Sequence, residues 1–131
     1  MMTTTCNRQC SMCCNNSINM ERVQICSDFK PYLKIVITGG EPMLFPKYLR
    51  SLIERIRLQA KGSWQKIYIQ TAKFDNIDDV FAIAGISQGF TVTLHTNKDV
   101  FDFFKTIVDR DISRRLLSHS LYLNVMKGVD I

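Results

Sequence analysis

Apolar and polar positions along the chain switch between a strand-like and a helix-like period. Lys34–Thr38 (KIVIT) is a near-continuous β-branched run and predicts a strand buried on both faces. Pro46–Ala60 sets Leu49, Leu52, Ile53, Ile56 and Leu58 at mostly helical spacing with arginines between, and Lys61-Gly62 ends that helix. Lys66–Thr71 (KIYIQT) reads as a strand. Asn76–Ala84 opens on a capping-type Asn, carries Asp78 and Asp79 in its first turn and continues with Val80, Phe81 and Ile83, which predicts a helix. Phe90–His95 (FTVTLH) is another strand. Asn97–Asp109 is the clearest helix: Asn97 is placed to cap it, Asp99 suits its first turn, and Val100, Phe101, Phe103, Phe104, Ile107 and Val108 give a broad apolar face. Leu121–Met126 (LYLNVM) reads as a last strand. Near the start, residues 2–5 (MTTT) are β-prone, and residues 20–30 have modest helical character.

Five strands separated by helices predict an α/β fold with right-handed crossovers and a parallel sheet. Ligands of such sheets gather beyond the carboxyl ends of the strands. Cys6, Gly39, Thr71, His95 and Lys127 each follow a predicted strand, so they are expected on one rim. The 131 residues suit one domain spanning 1–131, with no repeat, low-complexity stretch or linker. No apolar run is long enough to cross a bilayer, and MMTTTC lacks the pattern of a secretory signal, so the expectation is a cytoplasmic protein. Lys and Arg number 17 against 12 Asp and Glu, a net charge of +5. The basic residues, among them Arg55, Arg57, Lys73 and Arg110, are scattered. They read as a solvated mixed surface, with nucleic acid as a weaker option.

The chemistry concentrates in TTTCNRQCSMCC. Cys6, Cys10 and Cys13 form C-x3-C-x2-C; four of the five cysteines lie within nine positions, and no export signal is present. Such clusters point to metal or redox chemistry rather than disulfides. Three thiolates hold three irons of a cubane cluster and leave the fourth open. The competing reading is a structural zinc site with Cys14 or Cys26 as fourth ligand, although zinc motifs usually supply a second distant pair. Otherwise Cys14 and Cys26 are small buried hydrophobes. Downstream, Thr38-Gly39-Gly40-Glu41-Pro42 sets two glycines after a strand, where backbone comes close to a ligand.

In this order and at this separation, C-x3-C-x2-C and TGGEP resemble the radical S-adenosylmethionine superfamily, over most of the chain. The resemblance implies a partial (βα) barrel of about five βα units. It also implies a [4Fe–4S] cluster on Cys6, Cys10 and Cys13, with S-adenosylmethionine chelating the open iron and its amino group meeting Gly39, Gly40 and Glu41. The implied activity is reductive cleavage of S-adenosylmethionine to a 5′-deoxyadenosyl radical that abstracts hydrogen from a peptide, nucleotide or RNA. A flavodoxin- or ferredoxin-like electron donor is implied as a partner. IQTA (Ile69–Ala72), TLH (Thr93–His95) and LNVMKGVD (Leu123–Asp130) are similar to later strand-end segments of the family. They bring Gln70, Thr71 and Thr93 to the cofactor and Asn124 to the site. His95 is either a proton donor or substrate contact, or a structural histidine.

The chain departs from the family in carrying Cys14 where an aromatic is common, and in its length, which is short of six βα units. A minimal member completing its site as a homo-oligomer, or a truncated relative, fits that length. Two further readings compete with the enzyme: a non-catalytic module binding a cluster or partner on the same fold, and a zinc-stabilised interaction domain. His119 and Trp64 are expected in loops, and the Phe101/Phe103/Phe104 cluster in the core.

Overall fold

The computed structural model describes residues 26–60, 65–108 and 121–129. Their order is β1 (Lys34–Ile37), α1 (Pro46–Ala60), β2 (Lys66–Thr71), α2 (Ile77–Ala84), β3 (Gly89–Leu94), α3 (Asn97–Ile107) and β4 (Leu121–Val125), with a short 3-10 helix at Pro42–Leu44 before α1. The four strands form one parallel sheet in the order β1-β2-β3-β4. The fold class is therefore α/β. Residues 2–5 lie outside the described residues, so the described sheet has four strands rather than five.

A parallel sheet in sequential order, with crossovers of the usual right hand, carries its helices on one face. Burial follows that geometry. Ile37, Ile67, Ile69, Phe90, Val92 and Leu94 are buried and cluster with Leu49, Ile53 and Ile56 of α1, Val80 and Ile83 of α2, and Val100 and Phe103 of α3. Each such side chain contributes about 1.5–3 kcal/mol on leaving water. The intervening strand positions lie on the other face. Val36 there is 38% exposed, and Gln70, Tyr122 and Asn124 are exposed too. The expectation that β1 is buried on both faces is thus corrected: its helix side is covered, and its other side stays open among the described residues.

Several local expectations change for identifiable reasons. Of residues 20–30, expected to have helical character, 20–25 lie outside the described residues and 26–30 are not helical. Asp28 Oδ1 accepts from the Lys30 N–H at 3.1 Å, a turn that competes with helix, and Pro31 disfavours helical backbone at Lys30. Cys26 in this segment is exposed rather than buried, its thiol donating to the Asp28 carbonyl at 3.4 Å. Asn76 caps α2, accepting from the Asp79 N–H at 3.2 Å. In α3, however, the cap is Thr96 and not Asn97: Thr96 is extended, and with Asp99 it closes a capping box. Val100 and Phe103 point into the core, whereas Phe101, Phe104 and Val108 are exposed. One helix face meets the sheet, and six apolar residues spread over 100–108 are too many for it. Leu58 of α1 is exposed for the same reason.

Arg57 is a bracket rather than a solvated charge. Its guanidinium donates to the Gln65 carbonyl at 3.0 Å, the Ile86 carbonyl at 3.3 Å and Gln88 Oε1 at 2.8 Å, tying α1 to both edges of the following βα unit. Gln65, which is buried, donates its amide to the carbonyls of Phe29 and Tyr32, fastening the segment before β1 to the start of β2.

Candidate functional site

The four parallel strands end on one side of the sheet, where Gly39, Thr71, His95 and Lys127 follow or close β1 to β4 in turn. At the β1 end the chain must leave the sheet at once and start the 3-10 helix at Pro42. Gly39 makes that bend with φ at 128°, a region that a side chain would strain. Pro42 sits at the first position of the 3-10 helix, where its missing N–H costs nothing.

Glu41 fixes the bend. Its side chain is 2% exposed, and both carboxylate oxygens are engaged. Oε1 accepts from the Met43 N–H at 3.0 Å and from the Thr71 hydroxyl; Oε2 accepts from the Ala72 N–H at 2.8 Å. A carboxylate accepting three hydrogen bonds offsets its loss of water. Glu41 thereby locks the exit of β1 to the exit of β2, and leaves the backbone of Gly39 and Gly40 as the part of the turn that can face a ligand. Thr71 is equally committed. Its hydroxyl donates to Glu41 and accepts from the Lys73 N–H at 2.9 Å, and its side chain lies on the helix side.

Gln70, Thr93 and Asn124 occupy the other face. Gln70 is exposed, Thr93 is half-buried, and Asn124 Nδ2 lies 3.5 Å from Thr93 Oγ1 across the β3–β4 pair. His95 is half-buried just past β3, and its backbone N–H donates to Asp99 Oδ2 at 2.9 Å. The structure thus joins Glu41 to Thr71 directly and sets Thr93 beside Asn124, while Gln70 and Thr71 point to opposite faces. Cys6, Cys10, Cys13 and Cys14 lie outside the described residues, as do Trp64 and His119. Among the described residues no group of three His, Cys, Asp or Glu side chains is placed to hold a metal ion, and no helix is long and apolar enough to cross a membrane.

One feature of the open face escaped the reading of the sequence. Gly89 begins β3 opposite Tyr68, and a Cβ added there would stand 2.6 Å from Tyr68 Cδ1 and 3.2 Å from Tyr122 Cε2. Two tyrosine rings therefore lie close to one glycine. Lys34 Nζ lies 5.0 Å from the centre of the Tyr68 ring. The signal was present in the alternation of KIYIQT and LYLNV, which marks one-sided strands.

Comparison with protein-family models, with curated proteins and with solved structures returns no match.

Proposed function

We propose that the chain is a radical S-adenosylmethionine enzyme whose four described strands form part of a (βα) barrel. The observation that carries this reading is the order of C-x3-C-x2-C and TGGEP, with the second motif built as a braced glycine turn at the carboxyl end of a parallel strand. The donor set fits the group. Cys6, Cys10 and Cys13 offer three soft thiolates, suited to three irons of a cubane cluster, and supply no fourth ligand at motif spacing. The turn fits as well: Gly39 and Gly40 carry no side chain that would keep a small polar ligand from their backbone.

When bound, a reduced [4Fe–4S] cluster supplies the electron that breaks a carbon–sulfur bond of S-adenosylmethionine. The chain's own residues hold and orient. Glu41 keeps the Gly39-Gly40 backbone rigid, so that its polar groups are preorganised for the amino group of S-adenosylmethionine. Thr93 and Asn124 present polar atoms on the open face near the same end of the sheet. His95 is positioned through the hydrogen bond of its backbone to Asp99.

Anaerobic purification and reconstitution test the reading. The expected result is four irons with matching sulfide, lost together in Cys6→Ala, Cys10→Ala and Cys13→Ala, and dithionite-dependent release of 5′-deoxyadenosine. Zinc near one equivalent with no iron supports the zinc-stabilised domain instead. A cluster with no 5′-deoxyadenosine release supports the non-catalytic module.

A further inference from the structure

The open face of the sheet has a composition of its own. Lys34 and Lys66 are register partners at its amino edge, and both are exposed. Tyr68 and Tyr122 follow, the rings of both lying close to Gly89. Tyr122 is 54% exposed, a large fraction for an aromatic ring in a strand. Beyond them the face turns polar and ends at Asn124. No Asp or Glu occurs at any described strand position on this side.

We propose that this face binds a single-stranded nucleic acid, with a base stacked on Tyr122 and backbone phosphate at Lys34 and Lys66. Charge and shape both favour that occupant. A sheet face with two adjacent lysines and no carboxylate at its described strand positions attracts a polyanion, in a chain of net charge +5. Exposed aromatics on a sheet are stacking platforms for unpaired bases, and every base has a face to stack. Gly89 is what leaves room for the rings: a Cβ there would stand 2.6 Å from Tyr68 Cδ1 and 3.2 Å from Tyr122 Cε2, so the Tyr68 ring would have to shift. The Lys34 ammonium, 5.0 Å from the Tyr68 ring centre, is anchored close to the platform, as a phosphate contact needs. Asn124 offers a donor and an acceptor to a base edge beyond the ring.

The proposal does not depend on the cluster, because binding is read without turnover. The measurement is fluorescence anisotropy of a short labelled oligouridylate titrated with the full chain. Tyr122→Ala is expected to weaken binding about 10- to 100-fold, while Tyr122→Phe, which keeps the stacking face, binds as the parent does. Lys34→Met is expected to weaken binding and to flatten the salt dependence by about 0.7 in log–log slope, one phosphate contact. Lys47→Glu, a charge reversal on the exposed side of α1, leaves binding unchanged. Circular dichroism establishes that each variant is folded. The proposal is overturned if the parent does not bind, if a duplex of the same length binds as tightly as the single strand, or if Tyr122→Ala folds and binds normally. It also fails if Lys47→Glu weakens binding as much as Lys34→Met does.

Discussion

Glu41 shows how one residue can belong to a motif and be consumed by the fold. Its carboxylate accepts from Met43, Thr71 and Ala72 and is almost wholly buried. Truncation would leave the Met43 and Ala72 N–H groups without this acceptor and turn the Thr71 hydroxyl back on its longer contact with the Lys73 carbonyl, so Glu41→Ala is expected to lower stability by about 3 kcal/mol in urea denaturation. Glu41→Gln keeps the shape and one acceptor oxygen but turns an amide N–H toward a donor, and should cost about half as much. Equal losses for the two variants would mean that retained shape contributes nothing and that both acceptor oxygens are needed to hold the turn, whereas a Glu41→Gln variant as stable as the parent would mean that shape alone holds it. A surface carboxylate behaves differently. Asp75 has its pKa lowered chiefly by the hydrogen bond from Lys73, 2.5 Å away, against an opposing effect of burial. A lowered folded-state pKa contributes stability above the unfolded value of about 3.9, lost as pH falls through the folded value. Asp75 is largely exposed, so the contribution is small. An NMR titration of Asp75 should show its midpoint rise toward the ordinary value in Lys73→Met.

At the scale of elements, α3 is the most instructive. Its existence was plain from the sequence because apolar residues recur at helical spacing after a cluster of cap-forming residues. Its boundary was not, because Thr96 and Asn97 are both good caps and composition cannot choose between them. The choice is made by Asp99, three residues after Thr96, whose carboxylate accepts from the N–H groups of both His95 and Thr96. Thr96→Ala should cost about 1 kcal/mol, and Asp99→Ala more, since it strips two backbone donors rather than one. Thermal denaturation of the two variants gives that order directly. An Asn97→Ala change should stay within about 0.5 kcal/mol, as expected for an exposed position outside the cap. The strands were legible for a simpler reason: KIYIQT and FTVTLH are β-branched or aromatic runs bounded by turn residues.

At the scale of the whole molecule, what the sequence hid was sidedness. KIVI reads as a doubly buried strand because Val36 is as apolar as its neighbours. Which of its two sides is covered depends on where the three helices lie, and that follows from the strand order, a long-range property. The alternation in β2, β3 and β4 carried the information, but only once the register set Val36, Tyr68 and Gly89 in one row. Of the candidate site, the Gly39 bend was readable from glycine chemistry. The Glu41–Thr71 lock was not, since it joins residues 30 positions apart. The row of Tyr68 and Gly89 gives the sharpest structural test of this architecture. A Cβ on Gly89 would approach Tyr68 Cδ1 to 2.6 Å and must displace the ring or the strand. Gly89→Ala is therefore expected to lose about 1–3 kcal/mol, the usual cost of overpacking. With Tyr68→Ala already in place, the same change should lose much less, because the nearest obstructing atoms are gone. The difference, a coupling of about 1–2 kcal/mol in a double-mutant cycle, measures the tyrosine–glycine contact itself. Additive losses would mean that the cost of Gly89→Ala does not come from the Tyr68 ring, and that this ring does not lie over Gly89 in solution.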